Sequence, residues 1–185
     1  MDPELRMHAE RTPNPHSIKW VLGRPVVEGG VTAHFDRAPG AEVSPLATRL
    51  FGVDGVTIVF LGSNFVTVTK REDVEWTDIA QPIVDAIEAC LRDGGTALGP
   101  AFEAGEHGGD SEVVARIRRI LEEEVRPAVA MDGGDVVFAD FEDGIVRLYM
   151  QGSCSGCPSS TATLKYGIEA RLREAVPEVQ GVVAL

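Results

Sequence analysis

A glycine-rich segment near the middle of the chain most constrains what this sequence can fold into. Residues 94–110 read GGTALGPAFEAGEHGGD, with six glycines, one proline and no sustained hydrophobic period. This composition is typical of a flexible linker. The 185 residues therefore divide into two parts, each long enough for one small domain. We predict a first domain over 11–93, a flexible linker over 94–110 and a second domain over 111–185.

The first part combines the patterns of strands and helices. β-branched and aromatic residues at 56–61 and 65–70, separated by Gly-Ser-Asn, predict a β-hairpin. Isoleucines and a leucine repeat every four residues from Ile79 to Leu91 and predict an amphipathic helix over 76–92, whose start Pro82 leaves uncertain. Shorter patterns predict strands at 18–22 and 31–35 and a helix at 45–51. This half is expected to be α+β.

The second part has a clearer pattern. Ser111 is a good N-cap for a helix that Pro127 is expected to close. Two alternating strands around Asp143-Gly144 predict a tight hairpin. A further helix then runs until Pro177, and 179–185 is a candidate last strand. We therefore predict the fold class α+β, with two small α+β domains joined by a glycine-rich flexible linker.

Charge and hydropathy exclude several classes of partner. The net charge of -12, without any Lys/Arg cluster, disfavours nucleic acid and anionic lipid. No apolar run reaches the roughly 20 residues that cross a bilayer. The first eleven residues resemble neither a secretory signal nor a transit peptide. We therefore expect a cytoplasmic protein that binds neither nucleic acid nor membrane.

A Cys-x-x-Cys motif carries the chemistry. The chain passes from the hairpin into SCSGCPSS, and proline favours the first helical position, so Pro158 predicts Cys157 as the N-cap residue. Free backbone N–H groups and the helix dipole should make Cys157 form a thiolate readily. Cys154, three residues earlier, can place its sulfur on the same side of the turn. The pattern predicts two adjacent thiolates that bind metal or do redox work.

The number of available ligands limits which metal sites the motif can form, but it does not decide between metal binding and redox chemistry. Structural zinc sites and iron–sulfur clusters normally take four protein ligands, and no histidine lies within thirty residues of the motif. The simplest complete set is Cys154 and Cys157 from each of two chains. Two alternatives stay open: a thiol-disulfide oxidoreductase with Cys157 as the attacking thiolate, and a dimeric structural zinc site.

The second half, from MDGGDVVF through GSCSGCPSS to PEVQGV, closely resembles the C-terminal domain of the Nfu and NifU family of iron–sulfur cluster scaffold proteins. The first half, from RTPNPHSIKW to NFVTVTK, resembles the N-terminal domain of two-domain Nfu proteins. Trp20 and Asn64 stand where Phe and Asp are expected, away from the thiols.

The resemblance implies a carrier and not an enzyme. It implies a [4Fe-4S] cluster shared between two chains, with Cys154 and Cys157 as the ligands. Its implied partners are apo iron–sulfur client proteins, upstream cluster assembly proteins and a second copy of the chain, as a homodimer when the cluster is bound.

The remaining candidate residues have structural interpretations. Cys90 lies on the apolar face of its predicted helix and is expected to be a small buried hydrophobe. Asp132-Gly133-Gly134-Asp135 lacks the length of a calcium loop and the lysine of a P-loop, so it predicts a tight turn into a strand. Ser159, Ser160 and Thr161 are expected to stabilise the start of the helix.

Overall fold

The computed structural model describes residues 6–29, 31–92, 95–103, 111–155 and 158–185, and at 158–160 its backbone only. The chain divides into two compact units, Met1–Ala104 and Gly105–Leu185. Each unit combines helices with its own β-sheet, which confirms two α+β domains. The limits predicted for the domains and the linker remain predictions.

The first unit is a five-stranded antiparallel sheet in the order β1-β2-β5-β4-β3. Its strands are β1 (Met7–Arg11), β2 (Ser17–Leu22), β3 (Ala33–Phe35), β4 (Val56–Leu61) and β5 (Phe65–Lys70). Its helices are α1 (Pro45–Phe51) and α2 (Trp76–Leu91). Because successive strand residues point to opposite faces, alternate residues such as Val66 and Val68 join the core with Leu50 and Ile83 of the helices.

One strand of this unit differs from the sequence prediction. Strand β1 was missed because it is an edge strand with exposed polar residues, so its hydrophobic alternation is weak. Helix α2 begins at Trp76 as predicted, and Pro82 lies in its interior. At the start of the predicted linker, Ala97 is buried in the core and its carbonyl accepts a hydrogen bond from Ser44 Oγ at 2.7 Å. That part of the segment is packed on the first unit.

The second unit has a three-stranded sheet in the order β6-β7-β8. Strands β6 (Gly134–Glu142) and β7 (Ile145–Gly152) form the predicted antiparallel hairpin, and β8 (Gly181–Ala184) pairs parallel to β7. The helices are α3 (Glu112–Ile120), α4 (Arg126–Met131) and α5 (Pro158–Ala175). Their apolar faces and one face of the sheet form a core that includes Ile117, Leu148 and Leu172.

The expectation that Pro127 closes the first helix of this unit was wrong. A π-helical turn over Leu121–Val125 joins α3 to α4, and the helical path continues to Met131. Proline has no N–H, and its ring crowds the preceding turn of an α-helix. The wider π turn places Pro127 in the first turn of α4, where a proline is tolerated, and the Arg126 N–H bonds to the Leu121 carbonyl.

Candidate functional site

Cys154 lies in the short connection between the end of the hairpin and the last helix. Strand β7 ends at Gly152, whose φ of 65° is readily available to glycine. Helix α5 begins at Pro158, the position predicted as its first residue. The hairpin and α5 therefore hold Cys154 from both sides in the chain.

The loop before β6 packs directly against this cysteine. In the hairpin register Gly134 pairs with Gly152, where β7 ends and the connection to α5 begins. A Cβ on Gly134 would lie 2.5 Å from Cys154 Sγ and 2.8 Å from the Gln151 carbonyl oxygen. Real side chains do not approach so closely, and only glycine fits here without displacing the thiol. The predicted turn of Asp132-Gly133-Gly134-Asp135 into a strand is confirmed.

Hydrogen bonds fix the backbone on each side of Cys154. The Ser153 N–H donates to the Gly133 carbonyl at 3.2 Å, and the Ser153 hydroxyl donates to the Asp132 carbonyl at 2.5 Å. On the other side, the Thr161 hydroxyl donates to the carbonyl of Cys154 at 2.9 Å. Thr161 therefore has the structural role that the sequence suggested.

An ion pair supports the same loop. The Asp135 carboxylate is buried and accepts two parallel hydrogen bonds from Arg126, from Nε and from Nη2, each at 2.8 Å. One of its oxygens also accepts the N–H of Val136 at 2.8 Å. Sequence analysis assigned no role to Arg126 or Ser153. Arg126 lies outside any motif, Ser153 was quoted only as part of the cysteine motif, and their partners depend on the π turn and the hairpin register.

The surroundings keep the Cys154 thiol protonated. Burial raises the pKa of Cys154 to about 11, a hydrogen bond with Ser153 opposes this rise, and the charges of Asp132 and Asp135 add to it. Metal ligands must be thiolates, so binding a metal here has to displace a proton. The surroundings of Cys154 therefore favour a neutral thiol over the thiolate that the motif predicted.

The second predicted ligand, Cys157, lies outside the described residues. Its position as N-cap and its pairing with Cys154 stay predictions. Within the described ranges, no group of three or more His, Cys, Asp and Glu side chains is arranged to hold a metal ion. His107 also lies outside the described residues.

Cys90 is buried as expected. It packs in the core of the first unit with 7% of its surface exposed, and its Sγ lies 3.7 Å from the Thr96 carbonyl oxygen. Among the described residues, no helix combines the length and the apolar character needed to cross a membrane.

These features describe a two-domain α+β protein whose second domain holds a cysteine loop between a hairpin and a helix. Two family models match the chain: "Scaffold protein Nfu/NifU N terminal" over residues 7–94 and "NifU-like domain" over residues 117–183.

Full-length comparisons agree with these matches. The chain is 46% identical over 184 residues to "NifU-like protein 5, mitochondrial" of Arabidopsis thaliana, covering 95% of this chain and 66% of that protein. It is 44% identical over 179 residues to "NFU1 iron-sulfur cluster scaffold homolog, mitochondrial" of Homo sapiens, covering 95% of this chain and 70% of that protein. The chain belongs to the Nfu/NifU scaffold family and spans about two thirds of the length of these relatives.

Proposed function

We propose that this protein is a carrier that holds a labile [4Fe-4S] cluster between two chains and transfers it to apo iron–sulfur proteins. Cys154 and Cys157 of each chain are the ligands. The observation that carries the proposal is the position of Cys154, on a glycine-lined connection at the start of α5. Family membership supports it, as does the name of the human relative, an iron-sulfur cluster scaffold homolog.

Ligand number supports the shared site. A [4Fe-4S] cluster usually takes one thiolate for each iron, and the motif offers two per chain. Cys90 cannot supply another, because it lies in the core of the other unit. Two chains must therefore converge for a complete set.

The surface of the second unit supports association with a second copy. Five large apolar side chains are exposed among the described residues, and all five belong to this unit: Met131, Tyr149, Tyr166, Val183 and Leu185. Met131 directly precedes the turn that packs on Cys154, and Tyr166 lies on α5. Apolar side chains exposed side by side mark surfaces that bind another protein, and we propose that a second copy covers Met131 and Tyr166.

The carrier acts by exchanging ligands. In the apo protein the Cys154 proton is lost when iron binds, and an acceptor's own thiolates then replace those of the carrier. Few contacts are needed to hold two small domains around one cluster, so the cluster remains labile. No catalytic turnover is part of this proposal. Its cellular setting, the cytoplasm, and its partners, upstream assembly proteins and apo clients, belong to the proposal too.

Anaerobic reconstitution tests this function. Iron, sulfide and zinc are counted per chain while light scattering gives the mass of the apo and holo forms. We expect about two irons per chain in a dimer, as one shared four-iron cluster requires. A monomer carrying four irons would refute the shared site, and bound zinc without sulfide would favour the structural zinc site.

Transfer is measured separately. Mixed with an apo-aconitase-type acceptor, the holo protein should activate it, and a chelator added first should compete. Efficient disulfide reduction by the apo protein without any transfer would favour the oxidoreductase instead.

A further inference from the structure

The buried polar side chains of the second unit are concentrated at one place. In the described part of this unit, two polar or charged residues are buried, Asp135 with 3% and Ser153 with 2% of the surface exposed. Ser153 precedes Cys154 in the chain, and Asp135 follows the glycine that touches Cys154 Sγ. Burying a carboxylate is costly unless it is paired and hydrogen-bonded. A buried and paired carboxylate next to Cys154 fixes the geometry of the loop around this thiol.

The π turn places Arg126 beside the Asp135 carboxylate. Arg126 is the first residue after the π turn, and its N–H bonds to the carbonyl of Leu121. Single π turns are often found at functional sites, because they change the direction of the side chains that follow. Here the Arg126 guanidinium meets Asp135 with both of its bonds at 2.8 Å, a planar geometry that lysine cannot reproduce.

We propose that Arg126, Asp135 and Ser153 form a polar frame that positions Cys154 for the cluster. Arg126 holds Asp135 at the start of β6, which keeps Gly134 against Cys154 Sγ. The Ser153 hydroxyl holds the preceding turn through the carbonyl of Asp132. These three are positioning residues, since the frame acts through Gly134 and the loop backbone. Its effect on the cluster rests on the function proposed above, whereas its effect on the thiol does not.

The chain contains a matched control. Arg171 makes the same two-bond contact with Glu124, at 2.5 Å and 2.9 Å, in the same unit. Both partners of this second pair are exposed. Arg171→Lys therefore removes the same geometry from an exposed ion pair that joins α5 to the π turn and does not include Asp135.

The first readout needs no cluster. In a full-length Cys90→Ala, Cys157→Ser background, Cys154 is alkylated with iodoacetamide at fixed pH, well below the melting temperature of every variant. We expect Arg126→Lys to alkylate about tenfold faster, because the loosened loop exposes the thiol more often. Asp135→Asn should be faster still, because it also removes a charge that raises the pKa of Cys154. Ser153→Ala leaves no buried charge unpaired, so it stays folded. Its increase should be smaller, because loss of the hydrogen bond that lowers the pKa of Cys154 partly offsets the loosening of the turn. Arg171→Lys should match the background protein.

The second readout uses the holo protein with both ligands intact. Loss of cluster absorbance to a chelator should be about tenfold faster in Arg126→Lys than in the wild type or Arg171→Lys. The visible circular dichroism of the bound cluster should change in Arg126→Lys alone.

The outcomes separate the two proposals. Unchanged alkylation in Ser153→Ala together with either variant of the ion pair would overturn the frame, even if melting temperatures fall. Faster alkylation in a chain whose wild type binds no iron and sulfide would support the frame and refute the cluster function.

Discussion

The two buried cysteines of the described structure have the same exposed fraction, 7%, in opposite surroundings. Cys90 lies in the last turns of α2 among apolar side chains, with one weak contact to a carbonyl. Cys154 lies in a connection between elements, against a glycine and beside buried polar groups. Burial raises the pKa of both thiols. Burial alone therefore does not distinguish the two thiols, and the polar groups that hold the backbone around Cys154 do.

Removing the Cys154 thiol gives the largest expected effect on cluster retention, and removing the Cys90 thiol is its control. Cys154→Ala and Cys90→Ala delete the same group at the same exposure, and the two variants are reconstituted anaerobically in parallel. We expect Cys154→Ala to retain essentially no iron and sulfide, because a four-thiolate cluster loses two of its ligands in the dimer. Cys90→Ala should retain as much as the wild type. Wild-type retention by Cys154→Ala would contradict its assignment as a ligand.

Adding one methyl group beside Cys154 gives the next largest effect. Gly134→Ala places a Cβ against Sγ and the Gln151 carbonyl, so we expect unfolding to become easier by about 1–3 kcal/mol, as for other overpacked sites. Cluster retention should fall with it, because the thiol is displaced. Denaturant melts and iron analysis measure the two effects.

Gly167 in α5 supplies the control for this substitution. A Cβ on it would meet no atom within 4 Å. Gly167→Ala should therefore stabilise the protein by about 0.5–1 kcal/mol, the usual gain inside a helix, without changing cluster retention. If Gly134→Ala were also stabilising, the close packing at Cys154 would be wrong.

The pH dependence of alkylation sharpens the contrast between folded and unfolded Cys154. Since its pKa is raised to about 11, the thiolate is a minority form near neutral pH. In the Cys90→Ala, Cys157→Ser background, the rate should rise about tenfold per pH unit from 7 to 10 without a plateau. In denaturant it should level off near the ordinary value of 9.0. A plateau below pH 9 in the folded protein would contradict the burial of this thiol.

The same shift has a consequence for stability with a definite sign. The fold favours the neutral thiol, so this contribution to stability is complete below the ordinary pKa of a cysteine. It is lost as the pH rises from about 9 towards 11. Cys154→Ala should not show this part of the alkaline destabilisation.

Local patterns predicted much of this fold and named the cysteines of its candidate site. The hairpin around Asp143-Gly144 and the strands at 56–61 and 65–70 were found because alternation and turn residues are local signals. The continuation of the helix past Pro127 was not predicted, because whether a proline ends a helix depends on what the following residues pack against. Cys154 was identified as a candidate ligand from its motif. The hydrogen bonds between Arg126 and Asp135 depend on a π turn, which no residue pattern in the sequence predicts.

Removing a single hydrogen bond next to Cys154 gives the smallest expected effect. The Thr161 hydroxyl donates to the Cys154 carbonyl at 2.9 Å, and in the first unit the Thr57 hydroxyl donates to the Thr69 carbonyl at 3.1 Å. Thr161→Val and Thr57→Val each remove one such bond with little change in shape. Both should lower the free energy of unfolding by about 1 kcal/mol, the usual net value of such a bond.

Their effects on the thiol should differ. Thr161→Val loosens the backbone that carries Cys154, so alkylation of Cys154 should be a few-fold faster, a shift that corresponds to a local change of about 1 kcal/mol. Thr57→Val should leave this rate unchanged, because its hydrogen bond lies in the other unit. Equal acceleration in both variants would mean that Cys154 reacts through unfolding of the whole protein. Acceleration in Thr161→Val alone would mean that Cys154 is alkylated through local opening of the connection between β7 and α5.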